Sequence, residues 1–159
     1  MDTPSPEFVA HSGLSGLAAL LPLPKARLAR RLVAAGRVPD ERQFDKQGMR
    51  LSPSQSAALQ QWLAAGLVTR VVEEVRAVDG TVKLLVALRD GKKVETVAMR
   101  VGACCVSSQV GCAVGCRFCA SGLFGVERNL TDDEIVEQVV HCRRTMPIDR
   151  VVFMGMGEP

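Results

Sequence analysis

The sequence predicts an α/β protein with an N-terminal helical module, an antiparallel β-meander and then the opening of a β/α architecture. Helical patterns with capping signals come first, three strand patterns separated by Asp-Gly follow, and a capped helix then precedes a short apolar strand. We expect the module over residues 1–66, the meander as a linker over 67–101 and the β/α part over 102–159. Helices and then strands come before a cysteine-rich loop, and a helix and a strand follow it. This order predicts the α/β class.

The helical module contains two predicted helices. Residues 1–24 are rich in Pro, Gly and Ser and predict a loose lead-in. "KARLARRLVAAG" at 25–36 has apolar residues on one helical face and a terminal glycine. In "SPSQSAALQQWLAAG" at 52–66, Ser52 and the Gln three positions later form a capping box. Trp62 falls on the apolar stripe of this second helix, so we expect it in the core.

Basic residues are concentrated in the helical module. Residues 24–50 contain eight Lys and Arg against three Asp and Glu, although the whole chain carries a net charge of only +3. Such a segment is typical of either a solvated helix face or a contact with nucleic acid. Both interpretations stay open on charge alone.

The meander is predicted by three strand-like runs, "RVVEEVRAV", "TVKLLVALR" and "KKVETVAMR". They are separated by Asp79-Gly80 and Asp90-Gly91, and Asp-Gly between such runs is a strong hairpin signal. In the third run, alternation places Glu95 on the same face as Val97 and Met99. A carboxylate at this position suits proton transfer, and its alternative is an edge-strand carboxylate in water.

The β/α part is predicted from a helix and the strand after it. Thr131 and Glu134 form a capping box, and Pro147 prevents continuation of the helix. Its expected buried face consists of Ile135, Val136, Val139 and Val140. "RVVFM" at 150–154 is apolar throughout, which predicts a buried strand of a parallel sheet. One crossover cannot bury both faces of such a sheet, so we expect either a fragment or partner strands elsewhere.

The sequence predicts a cytoplasmic protein without a membrane segment. No apolar run approaches the roughly 18 residues of a membrane span, and the N-terminus lacks a signal-peptide pattern. Five of the six cysteines lie within 104–119, which in a reducing compartment favours metal binding or catalysis over disulfides. We interpret Cys104 and Cys142 as small buried residues, and His11 and His141 as surface residues.

Three cysteines form the strongest candidate site. Cys112, Cys116 and Cys119 have the spacing C-x3-C-x2-C, whereas structural zinc sites normally need a second pair of ligands that this sequence lacks. Three thiolates around a four-iron cluster leave one iron open to bind another ligand. A structural zinc site or inert thiols is the alternative.

Three longer stretches together resemble one enzyme family. "CVSSQVGCAVGCRFCASG", "RNLTDDEIVEQV" and "VVFMGMGEP" are similar to segments of the radical S-adenosylmethionine (radical SAM) RNA methyltransferases that act on an adenine carbon, the RlmN/Cfr family. The resemblance runs over about residues 92–159. It implies the start of a radical SAM partial (β/α) barrel with a [4Fe-4S] cluster on Cys112, Cys116 and Cys119. It also implies that the open iron binds S-adenosylmethionine.

The resemblance assigns roles to five further residues. Phe118, the aromatic residue before the last cysteine, is expected to contact the cofactor. Gly157 and Glu158 of the Gly-Glu-Pro element are expected to bind the amino group of S-adenosylmethionine. Cys105 matches the family's cysteine that resolves a protein–RNA adduct, and Glu95 matches its proposed proton acceptor.

The implied activity is methylation of adenine C2 in 23S ribosomal RNA and in transfer RNA, with two molecules of S-adenosylmethionine. Residues 1–66 would then be an RNA-binding module, an electron donor such as flavodoxin would be a partner, and the protein would be a monomer. A C8-methylating relative is the nearer alternative, and a non-catalytic iron–sulfur or RNA-binding protein is the other. The family's methyl-accepting cysteine would lie beyond Pro159, so we expect residues 1–159 alone to be inactive.

Overall fold

A computed structural model describes residues 13–159, and the predictions for residues 1–12, including His11, lie outside them. The chain divides into two compact units, one ending at Val68 and the other comprising Thr69–Pro159. The strands of the predicted meander lie in the second unit, together with the cysteine region. The predicted α/β class, with helices first and a mainly antiparallel sheet after them, is confirmed.

The first unit is helical over its described residues. Its helices are α1 (Leu17–Leu20), α2 (Leu23–Ala34), α3 (Glu41–Asp45) and α4 (Pro53–Ala65). The expectation of a loose lead-in is wrong for residues 13–24, because three leucines of this segment are buried and hold it in the core. These are Leu14, Leu17 and Leu21.

The capping and core predictions for the first unit are confirmed. The Ser52 hydroxyl accepts a hydrogen bond from the backbone N–H of Gln55, whose side chain returns one to the Ser52 backbone. Trp62 is buried and its indole N–H donates to the Gly13 carbonyl over 2.6 Å. Arg27, Arg30 and Arg31 of α2 are exposed, so contact of this face with RNA stays a prediction.

The second unit is built on a five-stranded sheet in the order β1-β2-β3-β4-β7. β1 (Arg70–Arg76), β2 (Val82–Ala87) and β3 (Lys93–Met99) form the predicted meander, and β4 (Ala103–Cys105) continues it antiparallel to β3. β7 (Arg150–Val152) pairs parallel to β4, as the β/α interpretation requires. The expectation of a buried strand over 150–154 is wrong, because β7 is shorter and forms an edge of this sheet, with Phe153 and Met154 exposed.

A two-stranded hairpin and one long helix complete the second unit. The hairpin pairs β5 (Gln109–Gly111) with β6 (Val126–Asn129), so it encloses the three clustered cysteines. Helix α5 (Asp132–Thr145) begins with the predicted Thr131–Glu134 capping box. It packs on the sheet, and the core between helix and sheet contains Leu84, Val94, Ala98 and Cys104 of the strands and Cys142 of the helix. Within residues 13–159, none of the helices combines the length and the apolar character needed to cross a membrane.

Helix α5 buries polar residues that its apolar pattern does not predict. Val140 is buried as expected, whereas Ile135, Val136 and Val139 are only partly buried. Glu137, Gln138 and His141 are almost fully buried.

The expectation of a surface His141 is therefore wrong. The Thr69 hydroxyl donates to the Glu137 carboxylate over 2.8 Å and lies 2.9 Å from Nε2 of His141. This buried pairing gives His141 a partner inside the protein, which is why a polar residue is stable there.

Burial of His141 predicts a pH-dependent stability of the second unit. Burial, assisted by the charge of Arg144, lowers the pKa of His141 to about 4, against a modest opposing hydrogen bond from Thr69. The unfolded chain therefore binds more protons than the folded one between about pH 6.5 and pH 4, and stability falls as the pH is lowered through this window. We expect a loss of about 2–3 kcal/mol, measured by hydrogen exchange of the sheet amides.

His141→Gln supplies the control for this expectation. The variant cannot gain a proton, so its stability should change less between pH 6.5 and pH 4 than that of the wild type. A histidine NMR titration that placed the pKa of His141 near 6.5 would contradict the prediction.

Candidate functional site

The candidate site lies at the carboxyl ends of the parallel strands β4 and β7. The chain leaves both strands at this end and continues as two adjacent segments, 106–109 and 153–158. The N–H of Val106 donates to the Val152 carbonyl over 2.9 Å, and the N–H of Gly155 donates back to the Val106 carbonyl over 3.1 Å. Ligands of β/α folds generally bind at this end of the strands.

The Gly-Glu-Pro segment is held in place by Ser107, Ser108 and Gln109. The N–H groups of Ser108 and Gln109 donate to the Met156 carbonyl over 2.8 and 3.2 Å. The Ser107 hydroxyl accepts from the N–H of Met156 over 2.9 Å and donates to the Glu95 carbonyl over 2.6 Å. This buried serine thereby joins the segment to strand β3.

Gly157 is required by a close backbone approach. Its φ is +96°, and a Cβ at this position would lie 2.5 Å from Cβ of Gln109 and 2.7 Å from the Gln109 backbone nitrogen. Neither the conformation nor the space admits a side chain. Glycine therefore lets the backbone of Gly157 and Glu158 lie directly on the residues that lead to the cysteine loop.

The three predicted ligand cysteines lie on the loop between β5 and β6. The loop is closed at its base, where the N–H of Cys112 donates to the Gly125 carbonyl over 3.1 Å. Within it, the N–H of Cys119 donates to the Cys116 carbonyl over 3.0 Å, and a short 3-10 turn follows at Ala120–Gly122. One loop thus carries all three thiols.

The donor set fits an iron–sulfur cluster, although the thiols are not gathered as a ready-made ligand group. In residues 13–159, no three or more His, Cys, Asp or Glu side chains are arranged to hold a metal ion. All six cysteines are free, and Cys112, Cys116 and Cys119 are at least partly exposed. Hydrogen bonds from Ser121 lower the pKa of Cys119, which favours its thiolate. Accessible thiols at short spacing match the chemistry of cluster ligation.

Cys104 and Cys142 are unavailable as further ligands. Both are fully buried between the sheet and α5, as the sequence predicts, and their thiols are hydrogen-bonded to each other. The Thr96 hydroxyl also lies 3.6 Å from the Cys142 sulfur. A four-cysteine zinc site that recruits these two residues would have to break the core.

Phe118 lies on the exposed side of the cysteine loop. Its side chain is 94% exposed, and Leu123 and Phe124 of the same loop are also largely exposed. Three large apolar side chains therefore flank the predicted ligands. Such a surface is suited to cover an organic ligand or another part of the protein.

Cys105 and Glu95 share the face of the sheet that α5 does not cover. Cys105 pairs directly with Val97, so Cys105, Val97 and Glu95 point to one face, whereas Thr96 and Cys104 point toward the helix. Cys105 is partly buried, and burial raises the pKa of its thiol despite a hydrogen bond from the Met154 backbone. A thiol at this position is protonated near neutral pH, and it ends β4 next to the two site segments.

Glu95 forms a solvent-exposed ion pair with Lys83. Its carboxylate accepts a hydrogen bond from Nζ of Lys83 over 2.9 Å, and both side chains are about half exposed. β3 is an interior strand of the sheet, so Glu95 differs from an edge-strand carboxylate by its position and resembles one by its exposure. Its role as a proton acceptor stays a prediction.

An ion-pair network around one buried carboxylate anchors the strand that leaves the cysteine loop. The Arg128 guanidinium makes a bidentate pair with Glu134 over 2.8 and 2.9 Å and a further bond to Asp90 over 2.8 Å. Glu134 is only 5% exposed at its side chain. Burial alone would raise the pKa of Glu134, but Arg128 and the Thr131 N–H outweigh it, so the pKa is lowered. The network connects the β2–β3 turn, β6 and the start of α5.

The structure also adds site residues that the sequence does not single out individually. Ser107 and Gln109 occur in the "VSSQ" motif, but their hydrogen bonds to residues 156–158 join parts of the chain nearly fifty positions apart. The sequence places Asp90 only in a turn. A polar run directly after a buried strand was the available signal for Ser107 and Gln109, and nothing local indicates Asp90.

Comparison with known proteins identifies relatives for the cysteine-containing part. No protein-family model matches the chain. A probable dual-specificity RNA methyltransferase, RlmN, of Rhodopirellula baltica is 57% identical over 88 residues, 51% of this chain and 24% of the relative. A probable RNA methyltransferase of Stutzerimonas stutzeri is 53% identical over 92 residues, 58% of this chain and 27% of the relative.

A solved structure extends the likeness to nearly the whole chain. The crystal structure of a radical SAM methyltransferase from Sphaerobacter thermophilus matches with a TM-score of 0.65 and 36% identity, over 98% of this chain and 48% of that one. The resemblance to the radical SAM RNA methyltransferases is confirmed. The chain spans about a quarter of the length of these curated relatives and about half of the solved radical SAM methyltransferase.

Proposed function

We propose that this chain carries the cluster-binding and first cofactor-binding elements of a radical SAM methyltransferase that modifies C2 of an adenine in 23S ribosomal RNA, with transfer RNA as a second substrate. The observation that carries the proposal is that two segments are joined at the carboxyl ends of β4 and β7. The loop with Cys112, Cys116 and Cys119 and the segment with Gly157 and Glu158 are held together through hydrogen bonds of residues 107–109.

In this proposal the cysteines hold a [4Fe-4S] cluster, which when bound supplies an electron for reductive cleavage of S-adenosylmethionine. The backbone of Gly157 and Glu158 orients the amino group of that cofactor, and the exposed Phe118 covers it. Cys105 lies on the uncovered face as the thiol that would form a disulfide with the sulfur of the protein–RNA adduct. The bond between that sulfur and the RNA-bound carbon would break, its electron pair would stay on the carbon, which takes up a proton, and the thiol would give up its own proton. Glu95 lies on the same face as a proton acceptor. We include an electron donor such as flavodoxin, a monomeric state and a cytoplasmic location in the proposal.

Two alternative functions use the same elements. Neither the cysteine loop nor the sheet distinguishes C2 from C8 of adenine, so the C8-methylating relative is the second candidate. A non-catalytic iron–sulfur or RNA-binding protein is the third. The exposed arginines of α2 would suit RNA in all three cases.

Anaerobic reconstitution of the chain tests the cluster proposal. We expect about four irons and four sulfides per chain and an EPR signal of the reduced cluster that changes when S-adenosylmethionine is added. Cys116→Ser should lose most of the iron because it removes one of three ligands. Cys105→Ser should keep the iron, because this thiol lies on β4 outside the loop.

Zinc in place of iron would contradict the cluster proposal. So would an unchanged iron content in Cys116→Ser, because the third ligand would then be dispensable. The same EPR titration in the whole protein, followed by mass analysis of methylated RNA, would separate C2 from C8 chemistry.

A further inference from the structure

The Gln109 side chain makes hydrogen bonds both to the cysteine hairpin and to the Gly-Glu-Pro segment. It is the first residue of β5, the strand that leads into the cysteine loop, and it is only 7% exposed. Its amide oxygen accepts a hydrogen bond from the backbone N–H of Glu158 over 3.1 Å. Its amide nitrogen donates to Oδ1 of Asn129 over 2.8 Å.

These two hydrogen bonds connect Gln109 to two different parts of the chain. Asn129 is paired with Gln109 across the hairpin and lies on β6, which leaves the cysteine loop. Glu158 lies in the segment that follows β7. One amide group therefore ties the two strands of the cysteine hairpin to the Gly-Glu-Pro backbone.

The packing around Gln109 leaves this arrangement little freedom. Gly157 approaches so closely that an added Cβ would lie within 2.7 Å of three atoms of Gln109. A buried amide whose donor and acceptor are both used fixes its neighbours more strictly than apolar contact alone. A shift of residues 157–158 would have to displace Gln109, and with it the hairpin.

We propose that Gln109 is a positioning residue that sets the place of the Gly157-Glu158 backbone relative to the three cysteines. The inference rests on the proposed function, because that function makes residues 157–158 a contact for S-adenosylmethionine. Gln109 itself acts through the two segments and touches no reacting atom. Its loss should weaken cofactor binding while the cluster still assembles.

The test uses Gln109→Met, which keeps the length and volume of the side chain and removes both hydrogen bonds. Gln61→Met on the exposed face of α4 is the matched control for the same exchange. Asn129→Asp keeps an acceptor for the Gln109 amide and should therefore behave as wild type. All variants are made in the full chain.

The first readout is hydrogen exchange of the Glu158 amide by NMR. We expect exchange at least about tenfold faster in Gln109→Met, because the partly buried hydrogen bond that protects this amide is lost. Gln61→Met should leave it unchanged. An unchanged Glu158 amide in Gln109→Met would overturn the inference, whatever the cofactor does.

The second readout is the S-adenosylmethionine concentration at half-maximal change of the cluster EPR signal. We expect it to rise about tenfold in Gln109→Met, with iron and sulfide content as in wild type. An equal rise in Asn129→Asp would contradict the assigned bonding. If the wild-type chain assembles the cluster and ignores S-adenosylmethionine, the proposed function fails, and the Glu158 exchange still decides whether Gln109 holds the segment.

Discussion

Replacement of Gly111 by alanine should open the hairpin that carries the cysteines and prevent assembly of the cluster. Gly111 has a φ of +80°, and a Cβ there would lie 2.1 Å from the Gly125 carbonyl oxygen. That oxygen accepts the N–H of Cys112, the first predicted ligand. The backbone must separate to admit the methyl group, so this bond at the base of the loop is lost together with the glycine conformation.

We expect Gly111→Ala to destabilise the hairpin by several kcal/mol, on the order of a backbone strain of 1–3 kcal/mol plus the lost hydrogen bond and the steric overlap. Iron content after reconstitution should fall severalfold. Hydrogen exchange of the Cys112 amide should approach the rate of an unprotected amide, which measures the opening directly.

Gly125→Ala is the matched control in the same hairpin. Gly125 has a φ of +73°, close to that of Gly111, but nothing lies within 4 Å of its added Cβ. This variant therefore has the backbone strain without the collision, at a cost of about 1 kcal/mol. Equal iron loss in both variants would show that strain alone decides, and the close approach at Gly111 would then be irrelevant to cluster assembly.

Local patterns in the sequence predict α2, α4, α5 and the meander because their causes are local, whereas the short helices α1 and α3 are not predicted. The capping boxes at Ser52 and Thr131 depend on residues three positions apart. The Asp-Gly turns at 79–80 and 90–91 depend on adjacent residues, and Gly80 and Gly91 both have a positive φ. Each of these signals is contained in a few consecutive residues, so the sequence alone shows it.

The sequence predicts the cysteine ligands of the candidate site better than it predicts the hairpin and hydrogen bonds that position them. The cysteine spacing and the Gly-Glu-Pro element are visible as motifs, and the resemblance to a known family assigns them roles. The hairpin that joins β5 to β6 has no local sequence signal, because its strands are short and separated by the whole cysteine loop. The bonds from Ser107 and Gln109 to residues 156–158 depend on the parallel pairing of β4 and β7, which places distant segments together.

His141 shows why a helical pattern can mislead. The apolar residues of α5 predict a buried face, and His141 falls just after it. Contact with Thr69, which precedes β1, extends the buried face to include Glu137 and His141. A polar residue becomes a core residue when a distant partner satisfies it, and the helix alone contains no sign of that partner.

Replacement of Arg128 by methionine should cost the second unit about 3 kcal/mol at pH 7, because it leaves a buried carboxylate without its partner. Glu134 would keep only the Thr131 N–H, and Asp90 would lose its contact to β6. The exposed pair Lys83–Glu95 is the comparison, since Lys83→Met should cost much less than Arg128→Met. Trp62 lies in the first unit, so tryptophan fluorescence would report on that unit and not on the second. Hydrogen exchange of the sheet amides is therefore the suitable measurement.

The pH dependence gives this prediction a sign. In the wild type the pKa of Glu134 is lowered in the folded state. The stability that this carboxylate contributes is therefore present above its pKa in the unfolded chain and is lost as the pH falls through its pKa in the folded protein. Without Arg128, burial dominates and the carboxyl is more stable when protonated. The difference in stability between wild type and Arg128→Met should therefore shrink from pH 7 to pH 4.

The double variant Arg128→Met/Glu134→Gln separates the lost charge pair from lost packing. Glutamine removes the uncompensated charge while keeping the size of the side chain, so the double variant should be more stable at pH 7 than Arg128→Met alone. If it is equally unstable, the stem of Arg128 acts by packing, and the ion pair is not what fixes β6 to α5. If stability returns, the cost of Arg128→Met lies in the uncompensated buried charge of Glu134 and not in lost packing.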